Sequence, residues 1–396
     1  MKRNILAFDN GTGFMKIGFA GKKRPSYVFP TMLGTPVVGK RVVGLKSMLQ
    51  LSRPVKRGTI ENWDVMKMLW DFAFKLLKVT PSECKVLLTE PLFTPDKTRE
   101  KVAEVMFEEF NVRALQIEAQ PLLALYAYGK STGMIVDIGH GLTQLVPIYR
   151  GFIIPKAVRI VPLGGQDITT YLIRLLMHRG YYLTTIMGME IAKEIKERLC
   201  YVALDPKEEA EKMRRRRAWP EDLYTGIAEE GMEVKRAKGT YRLVDGTVIR
   251  LEEEVFLAPE VLFNPSLIGA DIKPLPSLIV DSIMACDIDL RKELIKHIIL
   301  CGGTSMLKGL PERLMKELVN GLRKRGIKTK PRVITPKLRE IFVWIGASKL
   351  ASLVEERDLW VYKEEYEKHG VRIFREKLAP AQAKLGGGVS RAGFLI

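Results

Sequence analysis

A short glycine-containing hairpin occurs twice in the sequence, and it constrains the fold more than any other feature. In each copy an apolar strand ends at an aspartate, a G-x-G turn follows, and a second apolar strand leaves the turn. The copies are Phe8 to Gly13, with Asp9, and Val136 to Gly141, with Asp137. Glycines permit a tight turn in which backbone N–H groups converge on an anion. A repeat of this kind predicts two related lobes around a cleft.

The aspartate in each hairpin predicts a metal ion beside the anion. A carboxylate repels phosphate, but it holds a hydrated divalent cation that phosphate groups also bind. A single D-x-G-x-G turn is more often an ordinary β-hairpin. The duplication favours a nucleotide–metal pair that is held from both sides. A third turn, Gly302-Gly303, lies between a strand and a helix, an arrangement that lets the backbone approach a base or ribose closely.

The composition is that of a globular protein with a strongly basic balance. Hydrophobic residues make up 46% of the chain and charged residues 28%, and the formal net charge is +18. This charge fits either a polyanionic partner such as nucleic acid or a solvated Lys/Arg-rich surface, and no aromatic-interleaved basic stripe accompanies it. No segment reaches the ~18 apolar residues of a membrane span. We see no signal peptide at the N-terminus.

The cysteines and the less regular segments complete the outline. Cys84, Cys200, Cys286 and Cys301 are scattered, which favours a reduced, intracellular compartment over a metal site or a disulfide framework. Residues 63–77 have helical periodicity, with a predicted apolar stripe. That stripe consists of Val65, Met68, Leu69, Phe72 and Leu76. Residues 205–246, with the run Arg214 to Arg217, read as an exposed insertion, and the tail 378–396 has no core pattern.

Several longer strings resemble the actin family along nearly the whole chain. They include DNGTGFMKIGFAG (9–21), VLLTEPLFTPDKTREKVAEVMFEEFNV (86–112), LYAYGKSTGMIVDIGHGLTQLVPIYRG (125–151), IKERLCYVALD (195–205) and SIMACDIDLRKELIKHIILCGGTSM (282–306). Sugar kinases and heat-shock ATPases share the hairpins and the Gly-Gly turn, but they lack IKERLCYVALD and MACDIDLRKEL. The basic charge, the insertion and the tail make an archaeal actin of the crenactin kind the nearest resemblance.

The resemblance implies the α/β superfold of actin, sugar kinases and heat-shock ATPases, with two duplicated lobes around a nucleotide cleft and four subdomains. Subdomain 1 would comprise residues 1–30, 55–127 and 342–396, and subdomain 2 residues 31–54. Subdomain 3 would comprise residues 128–163 and 273–341. Subdomain 4 would comprise residues 164–272, including the charged insertion 205–246.

The resemblance also implies a nucleotide site for ATP or ADP with Mg²⁺. The metal would be held through water by Asp9 and Asp137. The hydrolytic residues would be Gln120, which orients the attacking water, together with Asp137 and Gln144. The nucleotide-binding residues would be Gly11, Thr12, Gly13, Phe14 and Lys16 in the first phosphate loop, Gly139, His140 and Gly141 in the second, and Gly165, Lys193, Lys196, Glu197, Gly302, Gly303, Thr304 and Met306 around the ribose and base.

This sequence departs from the actin pattern at four positions near the expected site. His140 replaces an aspartate, Gln144 replaces a histidine, Arg57 replaces another histidine, and Glu340 replaces a lysine near the adenine. A glutamine is not a strong base, but phosphoryl transfer depends mainly on positioning and electrostatics. We therefore expect slow hydrolysis. The change at Glu340 leaves both ATP and GTP open as substrates.

Two functional hypotheses follow from the resemblance. The first is a cytoplasmic, cytoskeletal ATPase that polymerises with itself into helical filaments, meets filament regulators, and uses residues 37–51 and 265–269 as contacts. The second is a non-polymerising actin-related scaffold in a larger complex, which nucleic acid could join. A small-molecule kinase is disfavoured because no stretch offers its catalytic carboxylate and sugar pocket. The chaperone variant lacks the chain length for a peptide-binding domain.

Overall fold

The computed structural model describes residues 4–36, 49–217, 239–243, 246–353 and 360–373. The chain divides into two compact units, which are described separately. The first comprises Met1–Gly165, Leu278–Met306 and Gly321–Ile396, and the second comprises Gln166–Ser277 and Leu307–Asn320. Residues 37–48 of the predicted contact loop, most of the charged insertion and the whole tail 378–396 lie outside the described residues.

The strands and α-helices are numbered here in chain order. The strands are β1 (Ile5–Asn10), β2 (Phe14–Phe19), β3 (Tyr27–Pro30), β4 (Leu33–Pro36), β5 (Leu49–Ser52), β6 (Val55–Lys56), β7 (Thr59–Ile60), β8 (Lys85–Glu90), β9 (Ala114–Ala119), β10 (Gly133–Ile138), β11 (Thr143–Tyr149), β12 (Phe152–Ile153), β13 (Arg159–Val161), β14 (Thr240–Arg242), β15 (Val248–Arg250), β16 (Ile298–Cys301), β17 (Val333–Ile334) and β18 (Val361–Tyr362). The helices are α1 (Trp63–Leu77), α2 (Asp96–Glu104), α3 (Gln120–Tyr128), α4 (Gly165–His178), α5 (Ile186–Leu199), α6 (Pro206–Arg217), α7 (Glu254–Leu257), α8 (Leu275–Met284), α9 (Ile288–Lys296), α10 (Leu310–Lys324), α11 (Phe342–Leu353) and α12 (Lys363–His369).

The first unit contains two mixed sheets with the same internal plan. One has the strand order β18-β9-β8-β1-β2-β3, and the other has the order β12-β11-β10-β16-β17, with β13 beside β11. In each sheet an antiparallel hairpin, β1–β2 or β10–β11, has a parallel neighbour, β8 or β16, on the side of its first strand. The α/β class is therefore confirmed, and the duplicated hairpin of the sequence corresponds to a duplicated sheet.

The core of this unit follows from the alternation of side chains along the strands. Leu6 and Phe8 of β1 pack in the cluster that contains α1, whereas Ala7 packs in the cluster that contains α3 and α11. Helices α3 and α11 approach each other so closely that a Cβ at Gly346 would lie 1.8 Å from the carbonyl oxygen of Leu123. Only glycine fits at this position. The indole of Trp344 donates to the carbonyl of Ala7 at 2.9 Å and ties α11 to the sheet.

Helix α1 has the predicted bounds but a different buried face. Its N-terminus is capped by the side chain of Asn62, which accepts from Val65 N at 3.1 Å. Met68 and Phe72 of the predicted stripe are 53% and 46% exposed. The sequence offers two adjacent apolar stripes, and the sheet buries the bulkier one, which carries Trp70 and Phe74. The buried side chains are Val65, Met66, Leu69, Trp70, Ala73, Phe74 and Leu77.

The second unit is mainly helical, with a small hairpin formed by β14 and β15. Helix α6 has no buried residue among residues 206–215, as expected of an exposed insertion. A 3-10 helix covers Pro265–Ile268, where Leu267 is 37% exposed. Across the described part of the chain, no helix has the length and apolar character that crossing a membrane would require.

Candidate active site

The first hairpin places Asp9 between a cation and a hydroxyl. Asp9 pairs with Lys16 across the hairpin and with Thr89 on the parallel neighbour β8. The Lys16 ammonium donates to Asp9 Oδ2 at 2.7 Å, and the Thr89 hydroxyl donates to Oδ1 at 2.8 Å. Asp9 is buried, so these two partners supply the hydrogen bonds that water would otherwise make to its oxygens.

The second hairpin places Asp137 in the corresponding position with different partners. Asp137 pairs with Gln144 across β10–β11 and with Cys301 on the parallel neighbour β16. The Gln144 amide donates to Asp137 Oδ2 at 3.3 Å. Burial, followed by the negative charge of Asp9, raises the pKa of Asp137 to about 6, although Lys16 and the Gln144 amide oppose the shift. Among the described residues, Asp137 forms no ion pair, and the nearby Lys16 bonds Asp9 instead.

Gln120 joins the two carboxylates through a chain of amides. It is the first residue of α3, directly after β9, and it is buried. Its amide nitrogen lies 3.4 Å from Asp9 Oδ1, and its carbonyl oxygen accepts from Gln144 at 3.1 Å. The backbone N–H of Leu92 donates to the Gln144 carbonyl oxygen at 2.8 Å and fixes the orientation of that amide. The three predicted hydrolytic residues, Gln120, Asp137 and Gln144, thus lie in one hydrogen-bonded group.

The two glycine turns touch each other. A Cβ at Gly13 would lie 2.8 Å from the Cβ of His140, and a Cβ at Gly141 would lie 2.9 Å from the methyl group of Thr12. The Arg57 guanidinium donates to the Gly141 carbonyl at 2.7 Å. Glycine is therefore required here by the close approach of the two hairpins, not only by the turn conformation.

The remaining residues of the phosphate loops lie in the same region. Gly11 accepts a hydrogen bond from the Thr31 hydroxyl at 2.6 Å through its carbonyl. Phe14 begins β2, two residues before Lys16. The carbonyl of Gly139 accepts from the Thr304 hydroxyl at 2.7 Å and from Gly165 N at 3.0 Å. These contacts hold the second turn against the Gly-Gly turn.

The Gly-Gly turn itself lies directly beside Asp137. Gly302 has φ +85°, and a Cβ there would lie 2.4 Å from the Ile138 carbonyl and 2.5 Å from Asp137 Oδ1. Gly303 begins a 3-10 helix, Gly303–Met306, and a Cβ there would meet open space. Thr304 is buried and Met306 is 41% exposed. Only the first of the two glycines is demanded by geometry.

Lys193, Lys196 and Glu197 lie on α5 in the second unit. Both lysines are buried, and Glu197 is exposed. The Lys196 ammonium donates to the Thr169 hydroxyl at 3.2 Å. Burial and the nearby Lys193 lower the pKa of Lys196 to about 8, against the raising effect of Glu197. These side chains are not surface lysines of a solvated helix face.

Sequence reasoning missed three contacts that shape this site. Thr89, Thr31 and Cys301 each contact a predicted site residue or its turn. Thr89 is the penultimate residue of β8, and Cys301 is the last residue of β16. Comparing the strands next to the two hairpins would therefore have found both residues. Glu340 stands out for another reason, since its Oε2 is buried and accepts no hydrogen bond from the described residues.

The donor set fits a divalent cation bound through water. Asp9 and Asp137 are both buried and repel each other, and the positive charge of Lys16 offsets that repulsion only in part. A divalent ion would relieve that repulsion. Among the described residues, no group of three or more His, Cys, Asp or Glu side chains is arranged to hold a metal directly.

Paired Asp-x-Gly hairpins on duplicated α/β sheets are consistent with the superfold shared by actin and related ATPases, and the comparisons with known proteins identify the family. The family model for actin matches residues 2–379. The chain is 38% identical over 412 aligned residues to Actin-related protein 2 of Caenorhabditis briggsae, covering 97% of this chain and 98% of that protein. The chain belongs to the actin family. This relative is eukaryotic, so it gives no support to the archaeal, crenactin-like resemblance.

Proposed function

We propose that this protein binds Mg-ATP and hydrolyses it slowly, as an actin-related subunit of a larger assembly. The observation that carries the proposal is the amide chain Gln120–Gln144, which joins the buried carboxylates of Asp9 and Asp137 beside two touching glycine turns. Members of the actin family generally bind nucleotide with a divalent cation, which supports this assignment.

The binding roles follow the charges of the site. The turn amides of residues 11–14 and 139–141 would bind phosphate oxygens, and Lys16 would supply a positive charge to the terminal phosphates. Asp9 and Asp137 would hold magnesium through its water ligands, and the ion would neutralise charge that develops on the phosphates. The roles of Gly165, Lys193, Lys196, Glu197, Gly302, Gly303, Thr304 and Met306 at the ribose and base remain predictions from the family resemblance.

Hydrolysis would depend on orientation rather than on a strong base. Gln120 would hold the attacking water, and Gln144, fixed by Leu92 N, would hold Gln120. The amide of Gln120 already contacts Asp9 Oδ1, so a water molecule must share or displace that contact. We infer that turnover is slow until the amide is reoriented.

The assembly state separates two candidate functions. We prefer the scaffold hypothesis because the similar protein is named an actin-related protein rather than an actin. One observation supports the filament hypothesis instead. A scaffold that does not hydrolyse nucleotide has no need of both aspartates and of Gln120 in one hydrogen-bonded group. ATPase activity coupled to polymerisation, location in the cytoplasm or cytoskeleton, filament regulators and a nucleic-acid partner belong to these hypotheses.

Two measurements test the proposal in sequence. Binding of a fluorescent ATP analogue is measured with Mg²⁺ and with EDTA, using Lys16→Met as the variant and Lys324→Glu as an exposed control. Magnesium-dependent binding that Lys16→Met weakens and Lys324→Glu leaves unchanged is expected. Binding that is equal with EDTA and in both variants would refute the nucleotide site.

Light scattering over a protein concentration series, with Mg-ATP, Mg-GTP or EDTA, then tests assembly. We expect no critical concentration for the protein alone, because the scaffold hypothesis needs other chains. A sharp, nucleotide-dependent critical concentration would replace the scaffold with the filament hypothesis. The comparison of ATP with GTP also tests the effect of Glu340 on base selectivity.

A further inference from the structure

The outer face of α1 and the adjacent strand β3 form an exposed apolar surface in the first unit, which we call the β3–α1 surface. It consists of Tyr27, Phe29, Met68 and Phe72, whereas the side chain of Val28 lies on the other face of β3. Phe29 and Phe72 make an edge-to-face contact with ring centroids 5.5 Å apart, which joins the strand to the helix. Three of the four side chains are between 41% and 53% exposed, and Phe29 is partly buried. Contiguous apolar exposure of this kind is typical of an interaction site.

Strand β3 is also the open edge of its sheet. It pairs with β2 on one side, and no strand of the described residues pairs with the other side. Because Thr31 N donates to Gly13 O, the ladder alternation directs the N–H and C=O groups of Phe29 and Tyr27 to β2. The backbone groups of Val28 then point outward. Pro30 follows in the outward register and has no N–H, so an added strand must pair beside Val28 rather than beyond it.

Three cations flank this edge. Lys22, Lys23 and Arg24 are exposed in the turn that precedes β3. None of the three forms an ion pair within the described part of the chain. The lysines of α1 differ, since Lys67 pairs with Glu109 at 2.6 Å and Lys75 pairs with Asp71. The charge left uncompensated at the surface is therefore positive and lies at the N-terminal end of β3.

We propose that the β3–α1 surface binds an extended acidic segment of a different protein chain. The segment adds to β3 as a strand, its carboxylates face Lys22, Lys23 and Arg24, and its apolar side chains cover Met68 and Phe72. Main-chain hydrogen bonds supply affinity in this mode, and alternate side chains supply specificity. The inference goes beyond the nucleotide site and does not depend on hydrolysis.

Charge argues against a second copy of the chain and against two of the chain's own segments as the occupant. A second copy of the chain carries a net charge of +18, which disfavours docking on an uncompensated basic turn. Residues 37–48 contain Lys40, Arg41 and Lys46 and no acidic residue. Residues 374–396 contain four basic residues and one acidic residue. Two segments of this chain are acidic, namely 354–359 with Glu355, Glu356 and Asp358, and 218–234 with five acidic and no basic residues, so the experiment must test both directly.

The test uses fluorescence anisotropy of labelled peptides with the full chain. The probe is a peptide of about ten residues that alternates Glu with Val and Phe, a length that fits one strand. The comparison peptides carry Lys in place of each Glu, or a central Pro. We expect the acidic peptide to bind at least about tenfold more tightly than either, with affinity that falls as salt rises.

Three variants locate the peptide on the surface. Lys22→Glu/Lys23→Glu/Arg24→Glu should weaken binding about tenfold or more and flatten its salt dependence. Val28→Pro removes an outward N–H without removing a bond to β2, and it should also weaken binding about tenfold. Phe72→Ser should weaken binding with the salt dependence unchanged. Ile288→Ser and Lys324→Glu are the matched exposed controls, and thermal unfolding verifies that each variant is folded.

The outcomes that overturn the proposal are distinct. Equal binding of the acidic, basic and proline-containing peptides would exclude strand addition by an acidic segment. Unchanged binding by Val28→Pro and by the triple charge variant would place the peptide elsewhere. Self-association of the wild-type chain that Met68→Glu abolishes would identify a second copy as the occupant. A tenfold gain in affinity on changing Glu355, Glu356 and Asp358 to Ala, or on changing the five acidic residues of 218–234 to Ala, would identify a segment of this chain as the occupant.

Discussion

The two hairpins put different side chains on matching backbone positions. In the first, Asp9 has Lys16 opposite it and Thr89 beside it. In the second, Asp137 has Gln144 opposite it and Cys301 beside it. A lysine and a hydroxyl donate hydrogen bonds to Asp9, whereas burial and the negative charge of Asp9 raise the pKa of Asp137 to about 6. The two hairpins thus share their backbone geometry but differ in charge, because only the first hairpin carries a lysine opposite its aspartate.

Removing each carboxylate in turn tests whether both hairpins contribute to nucleotide binding. Asp137→Asn and Asp9→Asn should each weaken magnesium-dependent ATP binding about a thousandfold, or roughly 4 kcal/mol, because each deletes one charged partner of the metal. Titration calorimetry with Mg-ATP measures the loss, and the same titration in EDTA is the control. Binding within a few-fold of wild type in Asp137→Asn would show that the second carboxylate takes no part.

The same two variants should move the stability of the nucleotide-free protein in opposite directions. Asp9→Asn leaves Lys16 without its counter-charge and should lower the free energy of unfolding by about 1–3 kcal/mol. Asp137→Asn removes a buried, repelled carboxylate and should raise it above pH 6. Urea unfolding at pH 7.5 gives both signs. If the free energy of unfolding changed with the same sign in both variants, the proposed difference in charge between the two hairpins would be wrong.

Substitution of Gln120 tests the amide chain that joins the aspartates of the two hairpins. Gln120→Ala should slow ATP hydrolysis about a hundredfold while ATP affinity stays within a few-fold, because the amide orients water rather than binding phosphate. Phosphate release under single-turnover conditions measures the chemical step. Gln116 is a buried glutamine on β9 that bonds Glu118, so Gln116→Ala is the matched control. Equal loss in both variants would indicate a packing effect.

The Gly-Gly turn offers a smaller effect with an internal control. Gly302→Ala forces a Cβ against the Ile138 carbonyl at positive φ and should cost about 2–3 kcal/mol of stability. Gly303→Ala places its Cβ in open space and should change stability by less than about 0.5 kcal/mol. Thermal unfolding of the two variants distinguishes them. A similar shift in both would mean that the turn is not held against β10.

The raised pKa of Asp137 predicts a pH dependence with a defined sign. Between pH about 4 and 6 the folded protein binds more protons than the unfolded chain, so metal-free stability falls as pH rises through this window. Magnesium would compete with that proton, so its affinity should rise about tenfold from pH 5 to pH 7 and then level off. Thermal shift with and without Mg²⁺ measures the trend. A flat response in wild type, matching that of Asp137→Asn, would contradict it.

Much of this site was accessible from the repeat and the family strings. The aspartates, the turns and Gln120 were predicted, and the structure brings Gln120, Asp137 and Gln144 into one hydrogen-bonded group. The balance of charge between the halves was not predicted. It depends on burial and on which strand neighbours each aspartate, and neither is visible in a local motif. The proposed nucleotide roles and the four-subdomain boundaries remain predictions.

Helix α1 shows the same limit. Its length and bounds follow from local periodicity and the Asn62 cap, since both act within a few residues. Its buried face does not, because two apolar stripes of similar hydrophobicity compete for one sheet. Packing against the sheet buries Trp70 and Phe74 and leaves Met68 and Phe72 exposed.

The sequence by itself determined the α/β class, the duplicated hairpins and the family, because these depend on strand patterns, on glycines with one conformational meaning, and on long family strings. Only the tertiary structure decided which carboxylate receives the lysine, which glycine cannot be replaced, and which face of α1 meets the solvent. Those properties depend on the distances between segments remote in sequence, and electrostatic and packing energies change steeply with such distances.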